Sequence, residues 1–343
     1  FARILFKGCA DMTPEFALIN RYFNRAVTDA EVALGIGDDC AIVRCKPGHE
    51  MVISTDTLGS GTHFFPDGDA EKLGRKALAV NLSDLAAMGA TPRFVMLALT
   101  LPRIDEAWLD AFSRGFYTLA DQYSVSLIGG NTTRGPLSIT ITILGEIEAG
   151  RALRRDTAKP NDDIWVSGSL GAASLALMHI QKKVTLPPNV FRTVEARRIE
   201  PNPRVELGRA LLGVAHAAID ISDGLLADLG HIAERSQLAA IIQRDAVPMA
   251  AGLLNLRADQ RDVCALAGGD DYELCFTAPE SARAQIISAG EQVGVAVTRI
   301  GKMVSAHSDD KLQASFQTRY QVRVHDEAGC DVTPTIHGFD HFI

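Results

Sequence analysis

Residues 137–147 read LSITITILGEI. Isoleucine stands at 139, 141 and 143, with serine or threonine at 138, 140 and 142, so one face is apolar and the other polar at a period of two. That period belongs to a strand, and five successive β-branched residues favour the extended backbone. A strand with one apolar face needs a second layer. Two flanking helical patterns supply it: 69–88, closed by Gly89, and 105–122, where Trp108, Phe112, Phe116 and Leu119 share a face. Further strand patterns at 31–36, 39–44, 50–55, 93–100 and 125–128 make the first half rich in sheet.

A polar, basic connector, GRALRRDTAKPNDD, occupies 150–163, and IWVSG then reads as a strand entering a glycine-rich helix start. We place a domain boundary there, giving 12–150 and 151–343. The second half alternates: a helix near 203–215, a short strand ending at Ile221, a helix over 224–235, and strands near 239–244, 272–277 and 295–300. The class is α/β (α+β), and 343 residues agree with two cores.

Composition narrows the function. With 47% hydrophobic and 22% charged residues the chain is not of the disordered type. No apolar run reaches the 18 residues of a membrane span, and residues 1–11 lack a signal peptide's apolar segment, so a cytoplasmic protein is expected. Met12 reads as the natural start and 1–11 as an upstream extension. A net charge of −8 without a basic stripe argues against nucleic acid as a partner. The six cysteines show neither CxxC nor zinc-ligand spacing, and several sit in apolar runs as small hydrophobes.

The acidic residues carry the chemistry. GIGDDCAIV, 35–43, sets Asp38 beside Asp39, a repulsion of about 4 kcal/mol at 4 Å and an effective dielectric near 20. Asp56 follows MVIST, and Asp220 and Asp223 lie in AIDISDGLL, which we read as strand exits, where α/β folds bind ligands and helix N-termini attract anions. Asp84 lies in NLSDLAAMGA, a helix with apolar neighbours. Singly, each reads as a turn former or cap. If Asp39, Asp56, Asp84 and Asp220 converge, their repulsion calls for divalent cations, and an oxygen-only donor set selects Mg²⁺, Mn²⁺ or Ca²⁺. IGGNTTRG, 128–135, reads as a phosphate-facing turn with Arg134 as a fixed charge, and no Walker A sequence or kinase glycine loop is present. Metal-assisted phosphoryl transfer is the expected chemistry.

Taken in order, GIGDDCA, STDTL, GTHF, NLSDLAAMGA, IGG-TTRGP, IDISDGL, GG-DYELCF and GFDHF resemble the thiamine-monophosphate kinases of the aminoimidazole ribonucleotide synthetase (PurM-like) superfamily. The resemblance implies a PurM-like two-domain architecture, a homodimer joined through N-terminal sheets, and the reaction ATP + thiamine monophosphate → ADP + thiamine diphosphate. It also implies several Mg²⁺ ions on Asp39, Ser54, Thr55, Asp56, Asp84, Asp220 and Asp223, with position 131 as a further ligand. It implies ATP contacts at Gly130, Asn131, Arg155 and Ser222, and substrate contacts at His63, Asp270 and Phe339. Two positions depart from the family pattern. Asn131 stands where the family has Asp, offering a carbonyl oxygen without charge, and Asp270 where it usually has Glu. The rival readings are another ATP-dependent synthetase of the superfamily and a non-catalytic acidic metal- or nucleotide-binding protein. A selenophosphate synthetase is disfavoured by the lack of a glycine-rich N-terminal segment with a reactive cysteine.

Overall fold

The computed structural model describes residues 14–305, 321–335 and 338. They group into two compact units: the residues up to Asn81 with Pro92–Glu146, and Leu82–Thr91 with Ile147 onward.

The first unit runs α1 (Pro14–Leu18), β1 (Val32–Leu34), β2 (Ile42–Val43), β3 (His49–Gly59), α2 (Ala70–Met88), β4 (Thr91–Leu101), α3 (Glu106–Gln122), β5 (Ser126–Arg134) and β6 (Ser138–Glu148). Its four-stranded sheet has the order β3-β6-β4-β5. Thr55 meets Thr142 and Thr57 meets Thr140, hydroxyl to hydroxyl at 2.9 Å, which fixes β3 and β6 in antiparallel register. The alternation of 137–147 is realised directly: Ile139, Ile141 and Ile143 are buried while the threonines take the other face.

Asp69 starts α2 by accepting the N–H groups of Glu71 and Lys72 at 2.9 and 3.1 Å. Gly89, at φ +71°, ends it, with Ala90 N–H donating back to Leu85 O at 2.9 Å. The last two turns of α2, which carry Ser83 and Asp84, group with the second unit. Asp105 caps α3 through Trp108 N–H; of the expected stripe Phe112, Phe116 and Leu119 are buried together with Leu109, whereas Trp108 is only half-buried and stacks on Phe112.

The second unit contains β7 (Asp163–Ser167), α4 (Ala172–Ile180), α5 (Pro188–Ile199), α6 (Val205–Ala210), β8 (Ala217–Asp220), α7 (Leu225–Arg235), β9 (Leu238–Gln243), α8 (Ala258–Asp262), β10 (Leu274–Ala278), α9 (Arg283–Val293), β11 (Val297–Ser305) and β12 (Val322–His325). Its sheet has the order β12-β9-β11-β7-β10-β8, antiparallel except where β12 lies parallel to β9. Val166, Ile219, Leu225, Leu229, Ile242 and Met303 lie in its core. Helix α5 escaped the sequence reading because only Val194 in it is buried, so it carries no apolar stripe.

Two local readings are corrected. The strand expected over 125–128 continues to Arg134, so IGGNTTRG is not a turn: Gly130 pairs with Leu97 and Asn131 with Ala98. A Cβ on Gly130, at φ +152°, would lie 1.9 Å from Leu97 O, which is why glycine allows the pairing to continue there. Gly130→Ala is expected to cost roughly 1–3 kcal/mol through the backbone conformation alone, and more if β4 and β5 separate; denaturant unfolding checks this. Asp56 likewise sits inside β3 rather than at its exit, because β3 runs on to Gly59.

Candidate functional site

In the second unit the residues after β8 are clamped. Ile221 N–H donates to Glu273 O at 2.8 Å, Tyr272 N–H to Ile221 O at 2.9 Å, and Asp270 N–H to Ser222 O at 2.8 Å. The β8–β10 pairing is thus prolonged into the two loops that carry Ser222, Asp223 and Asp270. Gly269 permits this approach, since a Cβ there would stand 2.1 Å from Ser222 O. Asp270 and Tyr272 adopt φ +69° and +52°. Aspartate tolerates that region and tyrosine does so only under constraint, the kind of strain that gathers at functional sites.

Asp220, 4% exposed, accepts the Ser83 hydroxyl at 2.7 Å, and Ser83 is fully buried. Asp84 follows it on α2, half-buried. Asp223 is half-buried, and a Cβ on Gly338 would lie 2.8 Å from Asp223 O, so Gly338 stands against the loop. Phe339 itself lies outside the described residues.

Asp228 was not foreseen. Its Oδ2 accepts three backbone N–H groups, from Ser222, Asp223 and Gly224, each at 3.1 Å. Burial pushes its carboxyl well above the usual carboxylate range, and the charges of Asp220 and Asp223 push the same way. Three carboxylates therefore share one junction. The expectation of a free, anion-attracting helix N-terminus at this strand exit is overturned, because an internal carboxylate already takes those N–H groups.

Glu273 was also missed. It is 1% exposed and paired with Arg197 and Arg204. A lone glutamate inside the apolar run YELCF was the available signal, since such a charge must be paired. For Asp228 the signal was an acidic residue in the first turn of α7.

In the first unit Asp38 accepts the N–H of Asp39 at 2.8 Å, and both are exposed. Ser54, Thr55 and Asp56 lie on β3 and Gly130 and Asn131 on β5. These strands are the two edges of the sheet, three strand spacings apart, or about 14 Å along it. One chain's sheet does not bring Asp56 and Asn131 together. His63 Nδ1 accepts Gly59 N–H at 2.9 Å, which leaves Nε2 to carry the proton of the neutral ring. Arg155, in the connector, is exposed, and its carbonyl accepts the Ser236 hydroxyl at 2.9 Å. Among the described residues no three His, Cys, Asp or Glu side chains stand close enough to hold a metal ion by themselves.

Two family models match: AIR synthase related protein, N-terminal domain, over residues 37–147, and AIR synthase related protein, C-terminal domain, over 159–311. The thiamine-monophosphate kinase of Salmonella typhimurium is 47% identical over 332 residues, 96% of this chain and 98% of that protein. The chain belongs to the thiamine-monophosphate kinase family. A crystal structure of the thiamine-monophosphate kinase from Stenotrophomonas maltophilia, 47% identical, superposes with a TM-score of 0.79 over 85% of this chain and 94% of that one. AaThiL complexed with AMPPCP and TMP, 27% identical, gives 0.72 over 87% and 89%. The two-domain PurM-like architecture expected from the motifs is therefore the observed one, with mixed sheets and helices in each unit of this family member.

Proposed function

We propose that this chain transfers the γ-phosphoryl group of ATP to thiamine monophosphate, forming thiamine diphosphate and ADP. The observation that carries this is near full-length likeness to thiamine-monophosphate kinases, joined to an acidic junction at Asp220–Asp223 clamped against the strained Asp270 and Tyr272.

The donor set fits Mg²⁺. Asp220, Asp223 and Asp228 crowd like charge at one buried junction, and hard oxygen donors without Cys or His suit this ion. Mg²⁺ is commonly held by one or two carboxylates plus water and substrate phosphates, so a cage of three protein carboxylates is not required. We assign Asp84, Asp220 and Asp223 as ligands on the second unit, and Asp39, Ser54, Thr55, Asp56 and Asn131 on the first. When bound, Mg²⁺ supplies the charge that lets a phosphate monoester dianion approach a triphosphate.

The rest falls to the chain. The acceptor's second pKa is about 6, so near neutrality it is already a dianion and needs no general base. The catalytic set is Asp39, Asp56, Asp84 and Asp220, which orient the reacting groups for in-line transfer without a phosphoenzyme. Gly130, Asn131, Arg155 and Ser222 contact ATP. His63, whose Nε2–H is directed by the bond from Gly59, meets thiamine monophosphate with Asp270 and Phe339.

We further propose a cytoplasmic homodimer joined through the first unit's sheet. Ile53, 61% exposed, and Met96, 41% exposed, leave apolar surface on that unit's strands, as an interface would. No helix among the described residues is long and apolar enough to cross a membrane.

Incubating the protein with ATP, Mg²⁺ and thiamine monophosphate is expected to yield thiamine diphosphate and ADP in equal amounts; no product would overturn the reading. Inversion at a chiral γ-phosphate is expected, and retention would exclude direct transfer. Asn131→Asp is expected to lower the Mg²⁺ concentration for half-maximal rate, since it restores a negative ligand. An unchanged or higher requirement counts against a metal role at 131.

A further inference from the structure

The β8–α7 junction has the form that binds phosphate in many α/β proteins. A strand ends, the chain turns through Ser222, Asp223 and Gly224, and a helix of eleven residues begins. Successive N–H groups aimed at one point make an anion cradle. Here the point is taken, because Oδ2 of Asp228, one turn into the helix and 2% exposed, accepts all three at 3.1 Å.

The consequence is a reversal of the junction's preference. With its amides turned inward to a resident carboxyl, the loop holds Ser222 and Asp223 two and three residues after Asp220, whose own oxygen is steadied by Ser83. We propose that Asp228 is a positioning residue: a built-in carboxyl that closes the cradle to phosphate and sets Ser222 and Asp223 so that the junction recruits divalent cations. Phosphate then reaches this place through the cation and not through the backbone. Asp228 acts through its neighbours and touches no reacting atom. The kinetic arm of the test rests on the kinase reading above; the binding arms do not.

The test compares wild type with Asp228→Ala, which empties the cradle, and Asp228→Asn, which keeps its shape and exchanges the carboxyl for an amide. Thermal melts and amide spectra establish folding. Inorganic phosphate, added without Mg²⁺, is expected to leave the amide signals of 222–224 unmoved in wild type and to shift them saturably in Asp228→Ala. Mg²⁺ alone, titrated by calorimetry, is expected to bind about 10- to 100-fold more weakly to Asp228→Ala, with Asp228→Asn between the two. The Mg²⁺ concentration for half-maximal kinase rate should rise by a similar factor while KM for thiamine monophosphate holds. Phosphate-shifted amides in wild type, or wild-type Mg²⁺ affinity in a folded Asp228→Asn, would overturn the proposal. Should wild type make no thiamine diphosphate, the kinase reading fails, and the phosphate and Mg²⁺ titrations still decide the role of Asp228. Should Asp228→Ala not fold, Asp228→Asn decides it through Mg²⁺ affinity.

Discussion

Asp220→Asn is expected to reduce kcat by about 10²–10³-fold, the scale set by removing one electrostatic group from a phosphoryl- or acyl-transfer site, while leaving the protein no less stable. The two effects have separate causes. Asp220 is buried beside Asp228 and Asp223, and its charge helps push the Asp228 carboxyl upward, so in the absence of a cation the cluster is self-repelling. Asparagine removes one charge yet keeps an oxygen to accept the Ser83 hydroxyl. Each kcal/mol of relieved repulsion raises the melting temperature by about 2–4 °C. Mg²⁺ should raise the melting temperature of wild type and leave that of Asp220→Asn nearly unmoved, because only the native cluster binds it strongly. Ser83→Ala is the control: it keeps all three charges and should retain the Mg²⁺ response. If Asp220→Asn lost stability and activity together, Asp220 would be a structural residue and its assignment to the metal would fall. Such a trade of stability for function is common where like charges are gathered for a ligand.

What the sequence disclosed follows from how local its causes are. The alternation at 137–147, most of the stripe on α3 and the Gly89 stop on α2 are written in neighbouring residues and stand where the sequence puts them, Leu109 replacing Trp108 at the head of the buried stripe. The errors lie where a distant strand decides. Nothing within IGGNTTRG shows that β4 will pair with it through to Arg134, and two adjacent glycines otherwise read as a turn. Asp56 looked like a strand exit because TLGSG follows it, yet pairing across to β6 keeps the chain extended to Gly59. Helix α5 lacks an apolar stripe and was silent. At the junction Asp220, Ser222, Asp223 and Asp270 stand in the quoted motifs, whereas the roles of Asp228 and Glu273, which shape the backbone around them, went unread. Their importance arises from three backbone N–H groups in one case and two arginines in the other, and neither partnership is visible until the chain has folded.

Glu273 should carry the largest single stability effect. Its carboxylate is 1% exposed and accepts from Arg204 at both oxygens, at 2.6 and 2.5 Å, from Arg197 at 2.5 Å and from the Ser167 hydroxyl at 2.5 Å. The Arg204 side chain is 10% exposed, so it cannot turn to water when its partner goes. Glu273→Gln sets an amide N–H₂ against guanidinium donors and leaves a buried positive charge, a loss of about 3–5 kcal/mol. Arg197, 36% exposed, can be solvated instead, so Arg197→Gln should cost far less, near the 0–1 kcal/mol of a surface pair. Replacing both Glu273 and Arg204 by leucine is expected to cost less than the sum of the single changes, since neither buried charge of that pair then remains and the half-exposed Arg197 can turn to water. Denaturant unfolding followed at Trp165, which lies on β7 beside Ser167, in a Trp108→Phe background reports the second unit without assuming one transition for the whole chain. Function should follow the same path. Ile221 N–H hangs on Glu273 O, Tyr272 N–H on Ile221 O and Asp270 N–H on Ser222 O, so loosening this anchor should raise KM for thiamine monophosphate. Additive single and double losses would show that Glu273 and Arg204 do not act as a pair, and an unchanged KM would separate this anchor from the substrate loop.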